Sequence, residues 1–511
     1  MKASDSLFRL IKSLSKNEKG YFKKMAEALA GGGGSNYLLL FDAIDKQNEF
    51  DEAAIIKKYS KENFVKNLSV TKRNLTDLIL KALRLYQSSH NTKSEITALL
   101  ENADIYFARQ LHKDAFDCID KARHLAKEID LPLQVLEADN KARGFNMEMS
   151  ARDWGTNIEQ YLLSLKDVSA QYRQSVEITE LHYRLFHFWK HERLIRTEEQ
   201  EKFIDAFMES PLLQLDPATC SFFPRQTLLT IRMIYCFLKN DTQQAFEWCQ
   251  QVLNLWEAHP AIQKDQPIRY IAAYTNYFSN CLRIKRYDLI AKHLHHADTG
   301  FMAGNETAKA AWFVRVSTFT LIVLEEKGDA DKLLEALPPI LTGLKEHEQR
   351  LKQIDVVMLR YNSLMVYFIA EKFGEALEIV NRLMDIKDLD LRTDIQAAVR
   401  IINLIVHYEL GNQVLLDNAI KNTRRYLQSR EKYFELEKIF FRHFSKLTLS
   451  ADKIQRDEVY RAMNEELMQT VNENPLEKNF LQTFNYTCWL QARLQNISLR
   501  QYFKQSGGEV N

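Results

Sequence analysis

With 511 residues, 46% of them hydrophobic and 27% charged, the chain has enough apolar material for a large buried core, which excludes a disordered polymer. Its 15 glycines and 9 prolines are too few for the turns of an all-β protein of this length, so the composition reads as all-α. A formal net charge of +1 gives no global field toward nucleic acid or an anionic bilayer, and any such contact has to be local.

The six cysteines (Cys118, Cys220, Cys236, Cys249, Cys281 and Cys488) form no CxxC pair that could begin a zinc or redox site, and they read as reduced thiols. The N-terminus lacks the apolar run of a signal peptide, and nowhere do 18 apolar residues follow one another. The expected location is cytoplasmic.

Residues 1–90 read as a small helical N-terminal module. Leu7, Leu10, Ile11 and Leu14 mark a first amphipathic helix, and Ser15 with Glu18 three residues on has the form of a capping box opening a second. Gly31 to Ser35 reads as a flexible loop. The segment 53–90 holds eight basic residues against Glu62 and Asp77. A short helix, a break at Lys61 to Asn67 and a longer helix from Val70 to Gln87 would make a helix-turn-helix in which Lys72, Arg73, Lys81 and Arg84 are the candidate phosphate contacts. Asp77 falls between Arg73 and Arg84 on the same helical face and opposes that attraction, so the plainer reading is a solvated packing module.

From 91 to 450 apolar residues recur at three- and four-residue steps. Ile96, Leu99, Leu100, Ala103, Tyr106 and Phe107 form one stripe; after a polar break at Gln110 to Asp114, Ala115, Ile119, Ala122, Ala126 and Ile129 form the next, with Pro132 read as the helix stop. The same hairpin returns with Tyr235, Ala245 and Cys249, ahead of Pro260, and with Tyr367, Phe373 and Ala376. Taking Ala115, Ala245, Ile290, Leu333, Ala376 and Leu416 as equivalent gives steps of 130, 45, 43, 43 and 40. The first step spans three periods, which predicts two further second helices starting near Ile158 and Phe203.

His182, His187 and His191 share an aromatic-rich helix, and the last two stand i, i+4 as metal ligands can. No HExxH accompanies them, and they read as packing residues. His293, His295 and His296 read as a polar helix end. No phosphate-binding glycine loop and no GxSxG elbow occurs; the sequence assigns no catalytic residue, cofactor or metal, and the expected class is non-enzymatic. Residues 451–511 read as C-terminal capping helices, with Phe480, Leu481, Phe484, Trp489, Leu490, Leu494 and Ile497 on one final helix and Gly507 to Asn511 as a disordered tail.

Phe373, Ala376, Val380 and Leu383, and likewise Ala115, Ile119 and Ala122 with His112 in the aromatic position, resemble the second helix of the tetratricopeptide repeat. The period here is longer than that repeat's (about 34 residues), which implies longer helices on the same plan; a HEAT-like array, at about 40 to 47 residues, is the competing label. The resemblance implies a right-handed superhelical array of antiparallel helix pairs, an α-solenoid, acting as a scaffold that holds a peptide or partner protein in its concave groove. First helices line that groove in the family, which makes Arg360 and Asn362 the candidate groove residues. Tyr367 is expected to be buried, its truncation costing about 3 to 5 kcal/mol. The alternative function is a transcriptional or RNA-linked regulator, with the basic N-terminal module touching nucleic acid and the repeats sensing a peptide.

Overall fold

The structure is a computed structural model that describes residues 3–28, 34–88, 91–149, 158–192, 198–296, 299–386, 393–430, 433–450, 452–473 and 484–506. Among these residues every regular element is a helix and there is no strand. The chain divides into two units, residues 1–284 with 299–304, and residues 285–298 with 305–511.

The first unit opens with α1 (Ala3–Ser13), α2 (Lys16–Ala28), α3 (Gly34–Asp45), α4 (Glu52–Lys58), α5 (Asn63–Lys66) and α6 (Leu68–Ser88). The capping box is formed: the Ser15 N–H donates to Glu18 Oε2 at 2.7 Å and the Glu18 N–H to Ser15 Oγ at 3.2 Å. Leu7, Ile11, Phe22, Phe41, Ile44, Leu75 and Ile79 meet in one apolar core. Gly34 and Ser35, expected in a loop, already belong to α3, because the glycine run is soon followed by the good helix formers Leu38, Leu39 and Leu40. Residues 31–33 of that loop lie outside the described residues, as do Phe480, Leu481 and the tail 507–511.

The rest of the unit is α7 (Thr92–Phe107), α8 (His112–Glu128), α9 (Pro132–Glu148), α10 (Ile158–Glu192), α11 (Glu198–Met208), α12 (Phe222–Leu238), α13 (Thr242–Glu257), α14 (Pro260–Asp265) and α15 (Pro267–Arg283). The second unit holds α16 (Tyr287–His296), α17 (Glu306–Glu326), α18 (Ala330–His347), α19 (Gln353–Ile369), α20 (Phe373–Met384), α21 (Thr393–Glu409), α22 (Gln413–Ser429), α23 (Glu435–Leu447), α24 (Lys453–Glu473), α25 (Thr487–Leu494) and α26 (Leu499–Gln505). Within each unit successive helices pack as pairs: α7 on α8, α9 on α10, α12 on α13, α17 on α18, α19 on α20, α21 on α22 and α23 on α24.

The turn inside each pair carries the repeat. Gln110, Asn240, Lys285, Gly328, Glu371 and Gly411 all have φ between 56° and 72°, and each stands five residues before its position in the Ala115, Ala245, Ile290, Leu333, Ala376, Leu416 series. In five of these turns the next N–H reaches back to a carbonyl of the preceding helix, as from Leu111 to Tyr106 at 3.0 Å and from Asn412 to His407 at 2.9 Å, which is a Schellman closure. That closure ends one helix and aims the next, so that the residue five positions on always lands in the core. All six equivalent residues are at most 1% exposed.

Several expectations change. Pro132 and Pro260 do not stop helices; each is the first residue of one, α9 and α14, where its missing N–H has no intrahelical partner to lose. The helix before Pro132 ends instead at the left-handed residue Asp130. Ile158 does start a helix, but Phe203 sits inside α11 and is 57% exposed, since α10 runs on for 35 residues. The single C-terminal helix is two, α25 and α26, broken at Asn496, with Phe484 ahead of both. Of the described helices only α17 has the length and hydropathy of a membrane span; it packs against α16, α18 and α19 and buries Trp312, Phe319 and Leu321 there.

Tyr367 is half-buried at the edge of the core, whereas its neighbour Phe368 is 2% exposed. Phe368→Ala should cost about 3 to 5 kcal/mol and Tyr367→Ala under about 2, read from denaturant midpoints of the two variants. The turns give a second test. Gly411→Ala places a Cβ in open space at φ 72°, so it should destabilise by about 1 kcal/mol through the backbone alone. Gln110→Gly, which relieves the same strain, should stabilise by about 0.5 to 1 kcal/mol in the same assay.

Candidate functional site

Within the first unit, α10 packs on α9 and α12, and α13 packs on α12 and α15. The space between α10, α12 and α15, closed at one end by the start of α9, is a cavity of about 900 Å³. Helical spacing decides what faces it. From α10 come Thr179, His182, Tyr183, Phe186 and Trp189; from α12, Phe223, Gln226, Thr230 and Phe237; from α15, Arg269, Asn276, Ser279, Asn280 and Arg283.

Two arginines are held in the same way. The Arg269 guanidinium lies 4.4 Å from the centre of the Phe223 ring and the Arg283 guanidinium 4.5 Å from that of Phe237. Both pairs are 46 residues apart in sequence, so α12 and α15 run in the same direction, one repeat apart. Stacking on a ring fixes the guanidinium plane and leaves its N–H edge available for an in-plane acceptor. No acid and no hydrogen-bond acceptor among the described residues takes either group. Partial desolvation against the ring lowers the Arg269 pKa from its ordinary value, while both Arg269 and Arg283 keep an exposed surface toward the cavity.

The remaining polar groups are mostly acceptors. The hydroxyls of Thr179, Thr230 and Ser279 each donate to the carbonyl four residues back, at 2.7 to 2.8 Å, which uses their protons and leaves their lone pairs. Asn280 is 3% exposed; its amide nitrogen donates to the Asn276 carbonyl at 2.8 Å, while its Oδ1 is buried with no partner. Gln226 Oε1 is buried and unpartnered in the same wall. The one carboxylate lining the cavity, that of Asp130, is occupied: it accepts the Phe223 N–H at 2.7 Å and the Ser221 hydroxyl at 3.2 Å, capping α12. Burial holds the His182 imidazole below its ordinary pKa. The cavity therefore has Lys93, Arg269 and Arg283 as cations against Asp130 as its one carboxylate, which caps α12.

The residues singled out from sequence fall elsewhere. Arg360 pairs with Glu348 at 2.6 Å and Asn362 is half-buried, both in the second unit, so neither joins this cavity. Lys72 is tied to Glu52 at 2.8 Å beside the Phe50 ring, while Arg73, Lys81 and Arg84 are exposed on α6 together with Asp77. His187 is exposed, the side chains of His191, His295 and His296 lie outside the described residues, and no group of three or more potential ligands that could hold a metal occurs among the described residues. Arg269, Arg283, Asn280 and Gln226 were not picked out by motif. Their signal in the sequence is the doubled pair of Phe and Arg, 46 residues apart at two points 14 residues from each other. No protein family, no curated protein and no solved structure matches this chain.

Proposed function

We propose that the chain is a non-enzymatic interaction scaffold, a tetratricopeptide-like array with its pairs wound right-handedly within each unit, which holds an extended peptide of a partner protein in the α10–α12–α15 cavity. The observation that carries this reading is what meets in one space: buried amide oxygens without donors beside exposed, ring-held guanidinium groups that no protein acceptor takes. A peptide, which has N–H donors along its backbone and carbonyls or carboxylates to offer, meets both. The volume, about 900 Å³, lies within the usual range of ligand pockets. A cytoplasmic setting suits six free cysteines, four of them buried.

Selection of a random-peptide phage library on the immobilised full-length chain should enrich a consensus. Ser279→Trp, at an exposed position on the cavity wall, should abolish that enrichment while leaving the melting curve unchanged. No consensus, or the same one with the blocked variant, would retire the reading. For the alternative nucleic-acid role, exposed Arg73, Lys81 and Arg84 are the favourable observation and exposed Asp77 the opposing one. In a low-salt gel shift the wild type and a Lys72→Glu, Arg73→Glu, Arg84→Glu variant are expected to behave alike; a steep loss in the variant would favour the regulator.

A further inference from the structure

Arg269 and Arg283 stand 14 residues apart on α15, close to four whole turns, which puts them on one face roughly 21 Å apart along the axis. Between the arginines lie Asn276, Ser279 and Asn280, and across from them Gln226 and Thr230. The chemistry along the cavity thus runs from cation, through acceptors, to cation.

A neutral peptide would satisfy the middle and leave both ends unmatched. Both guanidinium groups are exposed and held in place by their rings, so a carboxylate in the plane of the N–H edge can replace water there through paired, charge-assisted hydrogen bonds. An extended chain rises about 3.4 Å per residue, so two carboxylates meeting groups ~21 Å apart are separated by about six residues. We infer that the cavity is a clamp for an extended acidic peptide whose two carboxylates, about six residues apart, bind Arg269 and Arg283 while intervening backbone N–H groups donate to the Asn280 and Gln226 amide oxygens. This assignment rests on the peptide-binding reading and specifies its ligand. The occupant is a segment with two acids, or one acid and a C-terminal carboxylate, in register with the arginines.

Fluorescein-labelled octapeptides on a Ser and Tyr frame provide the probe, read by fluorescence polarisation with the full chain. The peptide with Asp at its first and seventh positions should bind at least about tenfold more tightly than the same peptide with Asn at both, or with Asp at the first and fourth. Arg269→Gln and Arg283→Gln should each remove about tenfold or more from the diacid peptide; a peptide with a single Asp should respond to one variant and not the other. Ser279→Glu, on the exposed wall, provides a variant that leaves both arginines in place. It should weaken the diacid peptide and leave the Asn control unchanged, with thermal melting confirming the fold. Equal binding of Asp and Asn peptides, or indifference of the diacid peptide to both arginine variants, overturns the clamp. Selection of a non-acidic consensus that Ser279→Trp abolishes overturns the clamp alone, whereas a library that yields no consensus removes the peptide-binding reading as well.

Discussion

The whole chain depends on a turn that makes two adjacent helices share one core. A left-handed residue closes the first helix by a Schellman bond, and the side chain five positions later enters the interior without exposure, whether it is Ala115, Ala376 or Leu416. Neither helix of a pair can bury its apolar face alone, so the fixed turn converts a weak local preference into a repeated packing unit. Four of the six turn residues in the series are not glycine, and they hold a conformation that side chains disfavour by about 1 to 2 kcal/mol. The geometry persists because the burial that follows each turn outweighs that penalty.

The same period builds the cavity. When helices one repeat apart run in the same direction, residues separated by that period face each other across the gap, which is how Phe223 comes to underlie Arg269 and Phe237 to underlie Arg283. A regular array thereby turns a repeat in sequence into a repeat of side-chain pairs in space, and the distance between binding groups is fixed by helix rise instead of loop conformation.

Much of this was legible in the sequence and some was not, for physical reasons. Three- and four-residue periodicity identifies a buried face, so Ala115, Ile119, Ala122 and Ala376 were placed in the core correctly, and the capping box at Ser15 could be read directly. Periodicity does not report depth, which is why Tyr367 was expected inside and lies at the margin beside fully buried Phe368. Proline marks a discontinuity without saying on which side the helix lies, and at Pro132 and Pro260 it opens the next helix. The cavity residues escaped because their meaning is relational. Arg269 alone on a helix is a solvated charge; only with α12 beside α15 does it become a guanidinium on a ring with an unoccupied edge.

Several arginines elsewhere in the chain are supplied with acceptors by the fold itself. In the second unit Arg315 on α17 pairs with Asp355 on α19 at 2.8 Å, Arg360 pairs with Glu348, and Arg493 bridges Glu371 and Glu409 at 2.9 and 2.8 Å, with the Trp489 indole donating to the same Glu409 oxygen. In the first unit Arg232 stacks on Trp248 much as Arg269 stacks on Phe223, yet it also donates to the Leu213 and Leu215 carbonyls. An aromatic support thus does not by itself prevent a guanidinium from finding an acceptor inside the protein. Arg269 and Arg283 have the support without the acceptor, as Arg424 has on the Phe441 ring with its Nε unpartnered, but they stand in the cavity that also contains the unpartnered oxygens of Gln226 and Asn280. The two unmet acceptors would each weaken the folded chain, since a buried polar group without a partner costs about 1 to 3 kcal/mol, and the two exposed guanidinium groups stand beside them. Their coincidence with two ring-held cations is more economically explained by one complementary ligand than by two separate defects of packing.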